Sequence, residues 1–277
     1  MWKDILVYAP FDTPKLAESA VGYAAALAAG ADAHLSVLSL AIEMPMPNVP
    51  DIGGIREAID QRRRDFRAEV GTFADERCRQ AAKAGSKVEA LSTLVMSGSL
   101  DDVFASYARL HDLTVVGGSR GESAAEAVLN AALFASGRPL IRVPGEAAVR
   151  FGLNRIMVAW DGGVASSRAV ADAMPALRRA KLVQVVRITD DARAEAHVPS
   201  IDLARHLTRN GVKVEVHDAS RDGLSIGRAL LREADRMEAD LMVMGGYGHS
   251  RLRETILGGA TRSILEEARI PVLMSHA

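Results

Sequence analysis

The residues best placed to do chemistry form one run late in the chain, Gly245-Gly246-Tyr247-Gly248-His249-Ser250-Arg251-Leu252-Arg253-Glu254-Thr255-Ile256-Leu257-Gly258-Gly259-Ala260-Thr261. Its glycines follow an apolar stretch of strand length and then open a stretch of helix length. Glycine allows close backbone approach to a ligand, and a helix start presents unpaired N–H groups and a partial positive charge. Gly258, Gly259, Ala260 and Thr261 are therefore candidates to cradle phosphate oxygens, with the Thr261 hydroxyl as an added donor. Two better-known phosphate loops do not fit. A Walker A loop needs G-x-x-x-x-G-K-[ST], and no glycine of this run is followed by that lysine. A dinucleotide fingerprint needs G-x-G-x-x-G, and Arg251 stands where its third glycine belongs. His249 has no spaced nucleophile and carboxylate of the kind a hydrolytic triad uses, so it reads as solvent-facing or near phosphate. Arg251 and Arg253 read as solvated loop charges.

These residues need elements to hold them, and the elements come in two copies. Ile5-Leu6-Val7-Tyr8-Ala9 recurs as Ile156-Met157-Val158-Ala159-Trp160, Leu113-Thr114-Val115-Val116-Gly117-Gly118 as Leu241-Met242-Val243-Met244-Gly245-Gly246, and Pro139-Leu140-Ile141 as Pro271-Val272-Leu273. A repeat of half the chain governs the whole fold. Within each copy, short apolar runs alternate with amphipathic stretches, the pattern of a parallel sheet with crossover helices. The second copy predicts strands near 155–160, 182–188, 212–218, 240–245 and 271–275, with helices near 165–180, 201–210, 225–238 and 257–268. Gly211 reads as a helix C-cap and Ser225 as an N-cap. The first copy predicts strands near 4–9, 34–40, 87–95, 113–117 and 139–143. It carries extra residues between Glu43 and Arg64, where Met44-Pro45-Met46-Pro47-Asn48-Val49-Pro50 opposes regular structure and a flap or solvent loop is expected. The turn-rich Pro144 to Arg150 marks a boundary, giving expected domains at 1–148 and 152–277.

The spacing Gly245, Gly248, Gly258, Gly259 resembles the ATP-binding motif of the universal stress protein family, G-x-x-G, nine residues, then G-[S/T]. Gly259 departs from the family's Ser or Thr and removes one side-chain hydrogen bond to phosphate. The resemblance covers essentially the whole chain, twice. It implies two tandem doubly wound, Rossmann-like parallel five-stranded α/β sheets of order 3-2-1-4-5, joined as an intrachain pseudo-dimer through their fifth strands. It also implies an adenine contact from Asp161, at the end of the first strand of the second half, and a main-chain contact from Ile188, at the end of the second. Both positions obey the rule that such sheets bind ligands beyond the carboxyl ends of their strands. In the first half Pro10 aligns with Asp161, Arg120 with Gly248, Asn130 with Gly258 and Ala131 with Gly259, so that half is expected to be a structural partner. Asp12 and Gly121 stand close by.

Composition narrows the function classes. The net charge is −1 over 277 residues, and neither half has the basic excess of a nucleic-acid binder. Arg62-Arg63-Arg64 is balanced by Asp60 and Asp65 and reads as a solvated helix face. Cys78 is the only cysteine, which excludes an intrachain disulfide or a multi-thiolate zinc site, and nothing beside it marks a reactive thiol. The chain begins without the pattern of a signal peptide and has no run long enough for a membrane span, so a cytoplasmic protein is expected. No general base, Walker-type lysine or paired carboxylates for two metals are visible, so ATP is expected to serve as a ligand or to be hydrolysed very slowly, with Mg²⁺ carried in by the nucleotide at most. The expected function is a stress-response regulator acting on a protein partner, with further homodimerisation left open. The alternatives are a nucleotide-independent interaction module and an enzyme resembling nucleotidyltransferases or electron-transfer flavoproteins. The adenylyl-transfer signature H-x-G-H is absent.

Overall fold

The computed structural model describes residues 1–43, 55–118, 123–145, 149, 151–189, 199–246 and 259–276. The first half supplies β1 (Asp4–Tyr8), α1 (Pro14–Ala31), β2 (His34–Glu43), α2 (Ile55–Ala82), β3 (Lys87–Met96), α3 (Leu100–Arg109), β4 (Leu113–Gly118), α4 (Ser123–Asn130) and β5 (Leu140–Pro144). A π-type turn over Ala131–Ala135 continues α4. The second half supplies β6 (Arg155–Ala159), α5 (Val164–Leu177), β7 (Leu182–Ile188), α6 (Ser200–Arg209), β8 (Val214–Ala219), α7 (Ile226–Arg236), β9 (Leu241–Gly245), α8 (Gly259–Glu267) and β10 (Val272–Ser275).

The ten strands form one sheet in the order β3-β2-β1-β4-β5-β10-β9-β6-β7-β8. Each half contributes five parallel strands, and the halves meet where β5 and β10 pair antiparallel, with Ile141 opposite Leu273 and Arg142 opposite Val272. Strands covered by helices on both faces need apolar side chains throughout, and β1, β4 and β9 are buried at almost every position. Alternate residues feed two core layers. Ile5, Val7, Val115, Ile141, Leu273, Val243 and Val158 lie in one layer with α1 and α5, and Leu6, Val116, Leu140, Val272, Met242 and Met157 in the other with α3, α7 and α8. Both layers run across the seam.

The caps are as the residue types dictate. Ser225 accepts a hydrogen bond from the Arg228 N–H at the start of α7, and Gly211 follows α6 at φ +79°. The insertion differs from expectation. Met44 to Pro50 lie outside the described residues, but Glu43 ends β2 and residues 55–64 are the opening turns of α2, not a loop. Good helix formers and side-chain contacts along the helix explain the difference: Gln61 donates to Asp65 at 2.7 Å, Arg64 to Gln61 at 2.7 Å, and Arg63 reaches back to Glu43 at 3.0 Å. α2 begins to bury its face only at Val70, Phe73 and Ala74. Arg62, Arg63 and Arg64 lie on the solvated stretch, as their balanced charge indicated.

Candidate functional site

β6 ends at Ala159, and the chain turns at Asp161-Gly162-Gly163 before entering α5. Gly162 takes φ +73°, a conformation that a side chain disfavours. Asp161 stabilises this turn: its Oδ1 accepts the Gly163 N–H at 2.8 Å and the Ser166 hydroxyl at 2.5 Å. Asp161 is exposed while Ser166 is buried. Ser166 in turn abuts Gly245, where a Cβ would stand 2.5 Å from the Ser166 nitrogen and 2.7 Å from the Ala165 carbonyl carbon. The glycine at the end of β9 therefore lets α5 sit directly against the sheet, and Asp161, Ser166 and Gly245 are linked by contact. Ile188 ends β7 beside this turn, because the neighbouring strand is registered Ala159 to Val186 and Trp160 donates to the Val186 carbonyl at 2.9 Å. The side chain of Ile188 is buried, which leaves its main chain for any contact.

α8 runs back from the carboxyl end of β9 to β10. Gly259 opens it, and none of the described residues lies within 4 Å of a Cβ added there. Thr261, in the first turn of α8, is buried. Gly248 and Gly258, with His249, Arg251 and Arg253, lie outside the described residues. Beyond Gly245, Gly246 donates its N–H to the Ser275 carbonyl at 2.8 Å and accepts from His276 Nδ1 at 3.0 Å. Because a carbonyl only accepts, that bond fixes the proton on Nδ1. Sequence reading had not singled out Ser166 or His276. The first was legible only as a small residue in the turn after Asp161, and the second carried no local signal.

At the corresponding end of the first half the contacts are different. Leu16 of α1 lies against Gly117, where a Cβ would be 2.8 Å from its Cγ, and also against Gly145. Phe11, after β1, packs edge-to-face on Phe66 and Phe73 of α2 at centroid distances of 5.8 and 5.5 Å. Arg142 covers Gly118, where a Cβ would lie 2.6 Å from its Nε. Asp12 is held near Thr13 at the mouth of this region, and Gly121 lies outside the described residues.

A doubly wound sheet with an aspartate turn and a glycine at the carboxyl ends of adjacent strands defines an α/β protein of layered helix-sheet-helix build. Residues 152–276 match the sequence profile of the universal stress protein family, so the second half of the chain carries a domain of that type. Over 128 residues it is 27% identical to Universal stress protein Slr1230 of Synechocystis sp. (strain ATCC 27184 / PCC 6803 / Kazusa), a match covering 44% of this chain and 42% of that protein, so the chain spans about two fifths of the length of this curated relative. The crystal structure of a universal stress protein from Archaeoglobus fulgidus DSM 4304 superposes over 98% of this chain and 96% of its own, with a TM-score of 0.69 at 16% identity. Protein PA1789 of Pseudomonas aeruginosa PAO1 does so over 98% and 92%, with a TM-score of 0.59 at 14% identity. Both likenesses concern the fold. Among the described residues no helix is long and apolar enough to cross a membrane, and no group of three or more metal-ligating side chains is present.

Proposed function

We propose that the second half binds an adenine nucleotide, ATP in the first instance, and that the chain is a stress-response regulatory protein of the cytoplasm whose nucleotide state is read by a protein partner. The two halves act as domains over 1–148 and 152–277. Asp161 and the main chain of Ile188 face adenine, Gly245 and Gly248 admit the ligand close to the backbone, and the N–H groups of Gly258, Gly259, Ala260 and Thr261 meet the phosphates. Bound ATP supplies the negative charge for which the start of α8 is suited, and any Mg²⁺ arrives with it. The observation that carries this reading is the contiguity of Asp161, Ser166 and Gly245, which joins the two separated parts of the motif at one crevice. A second reading, a nucleotide-independent interaction module, is favoured by the engagement of Asp161 Oδ1 within its own turn and by the missing hydroxyl at Gly259. Equilibrium dialysis of the full chain against labelled ATP decides between them. Saturable binding that Asp161→Ala abolishes supports the nucleotide reading, and retention no greater than that of an unrelated protein supports the module.

A further inference from the structure

At the antiparallel seam, each half touches the glycine end of the other. Leu133, in the π-type turn of the first half, is almost fully buried against Gly246 of the second, where a Cβ would lie 2.9 Å from its Cδ2. The neighbouring Phe134 meets the His276 ring edge-to-face at a centroid distance of 4.9 Å, and His276 in turn holds the Gly246 carbonyl. The other contact is polar. Arg142 of β5 is buried, donating from Nη1 to the Ala268 carbonyl at 3.0 Å and from Nη2 to the Gly118 carbonyl at 3.1 Å.

Ala268 directly follows α8, so its carbonyl is one of those a helix end leaves without an intrahelical partner. A guanidinium is well suited to that place, because it offers several donors and a cation at the negative end of the helix dipole. A buried charge also needs such partners to be retained at all. The first half thus grips the second at two points. It fixes where the chain leaves β9, through Leu133 on Gly246, and where α8 ends, through Arg142 on Ala268.

We propose that Leu133 and Arg142 are positioning residues: the first half sets the placement of α8, and so of the N–H groups of Gly259, Ala260 and Thr261, for the site in the second half. The inference deepens the nucleotide reading and rests on it for the identity of the ligand, although not for the mechanical coupling. It gives the first half a task, namely to hold its partner's phosphate-binding helix.

The test uses the full chain. Amide exchange of Gly259–Glu267 is followed without nucleotide in the wild type, Leu133→Ala, Arg142→Met and Val37→Ala, and the affinity of each for ATP is measured by calorimetry. Methionine suits position 142, because Met274 occupies the matching place in the second half's final strand. Val37 is fully buried in β2, three strands from the seam, and controls for a general loss of stability. Both seam variants are expected to speed exchange in α8 at least fivefold relative to Val37→Ala and to weaken ATP binding by about fivefold or more, the lower end of ordinary coupling between sites. Arg142→Lys, which keeps a cation able to reach one carbonyl, is expected to recover part of both effects. Should Arg142→Met fail to fold, Leu133→Ala and Arg142→Lys carry the same comparison. Exchange in α8 no faster in the seam variants than in Val37→Ala overturns the proposal. A wild type that does not bind ATP overturns the nucleotide reading instead, and the exchange comparison still decides the coupling.

Discussion

Asp161 serves its own backbone as well as any ligand. Its Oδ1 holds the Gly163 N–H and the Ser166 hydroxyl, and Ser166 packs on Gly245. Asp161→Ala is therefore expected to cost about 1 kcal/mol of stability, the scale of a lost cap or single hydrogen bond, in addition to its effect on ATP. Asp161→Asn, which retains a carbonyl oxygen at that place, is expected to unfold close to the wild-type temperature; an equal loss in both variants would show that charge rather than hydrogen-bond geometry holds the turn. Gly259 offers the opposite experiment. No described residue lies within 4 Å of a Cβ added there, so Gly259→Ser is expected to tighten ATP by about 1 kcal/mol, one net hydrogen bond, when titrated calorimetrically. Cys78 belongs to neither set. Burial first, then Asp75 and Glu89, pushes its thiol up to about 11, so alkylation at about pH 8 is expected to run well below the rate of an exposed cysteine. Modification at the free-thiol rate would contradict that placement.

Helices and strands were the most legible level, and the reason is periodicity. Continuous apolar runs marked β1, β4, β6, β9 and β10 because strands covered on both faces have no polar side to alternate with. α2 was only partly legible, since a run of prolines hid a helix whose first turns rest on polar contacts along its surface instead of an apolar stripe. α7 shows what sequence patterns leave out. Its Glu233 is buried and lies 3.2 Å from His217 of β8, 3.1 Å from Arg232 and 2.7 Å from Arg236. Burial alone would raise the Glu233 carboxyl, but the arginines, with His217, outweigh it and hold it below the ordinary glutamate range. A carboxyl depressed in the folded state contributes stability that is present above its unfolded value and is lost as the pH falls through the folded one. In urea titrations, wild-type stability is therefore expected to fall more steeply than that of Glu233→Gln as the pH drops below about 4, and Glu233→Gln is expected to be less stable by about 2 kcal/mol near neutrality. Parallel pH profiles would remove Glu233 from the acid sensitivity of this fold.

Across the whole molecule, the repeat announced two alike halves, but the glycines announced their inequality. The aligned Pro10 already pointed to a first half without the aspartate turn. The contacts of Leu16 on Gly117 and of Phe11 on Phe66 and Phe73 were not legible, because they join elements distant in sequence, and a leucine in an Ala-rich helix carries no sign of where it will lie. Arg142 was equally silent: it stood inside an apolar strand, and only the antiparallel pairing of β5 with β10 sets it beside the end of α8. The resulting sheet has just two outer strands, β3 and β8, and both carry charges, among them Lys87, Glu89, Glu215 and Asp218, that discourage edge-to-edge association. The proposed single nucleotide site of the second half is tested by the stoichiometry of ATP binding to the full chain by isothermal titration, beside Asp161→Ala. One nucleotide per chain, lost in the variant, is the expected result; saturation at two per chain, or one that survives Asp161→Ala, would contradict a single site built on Asp161.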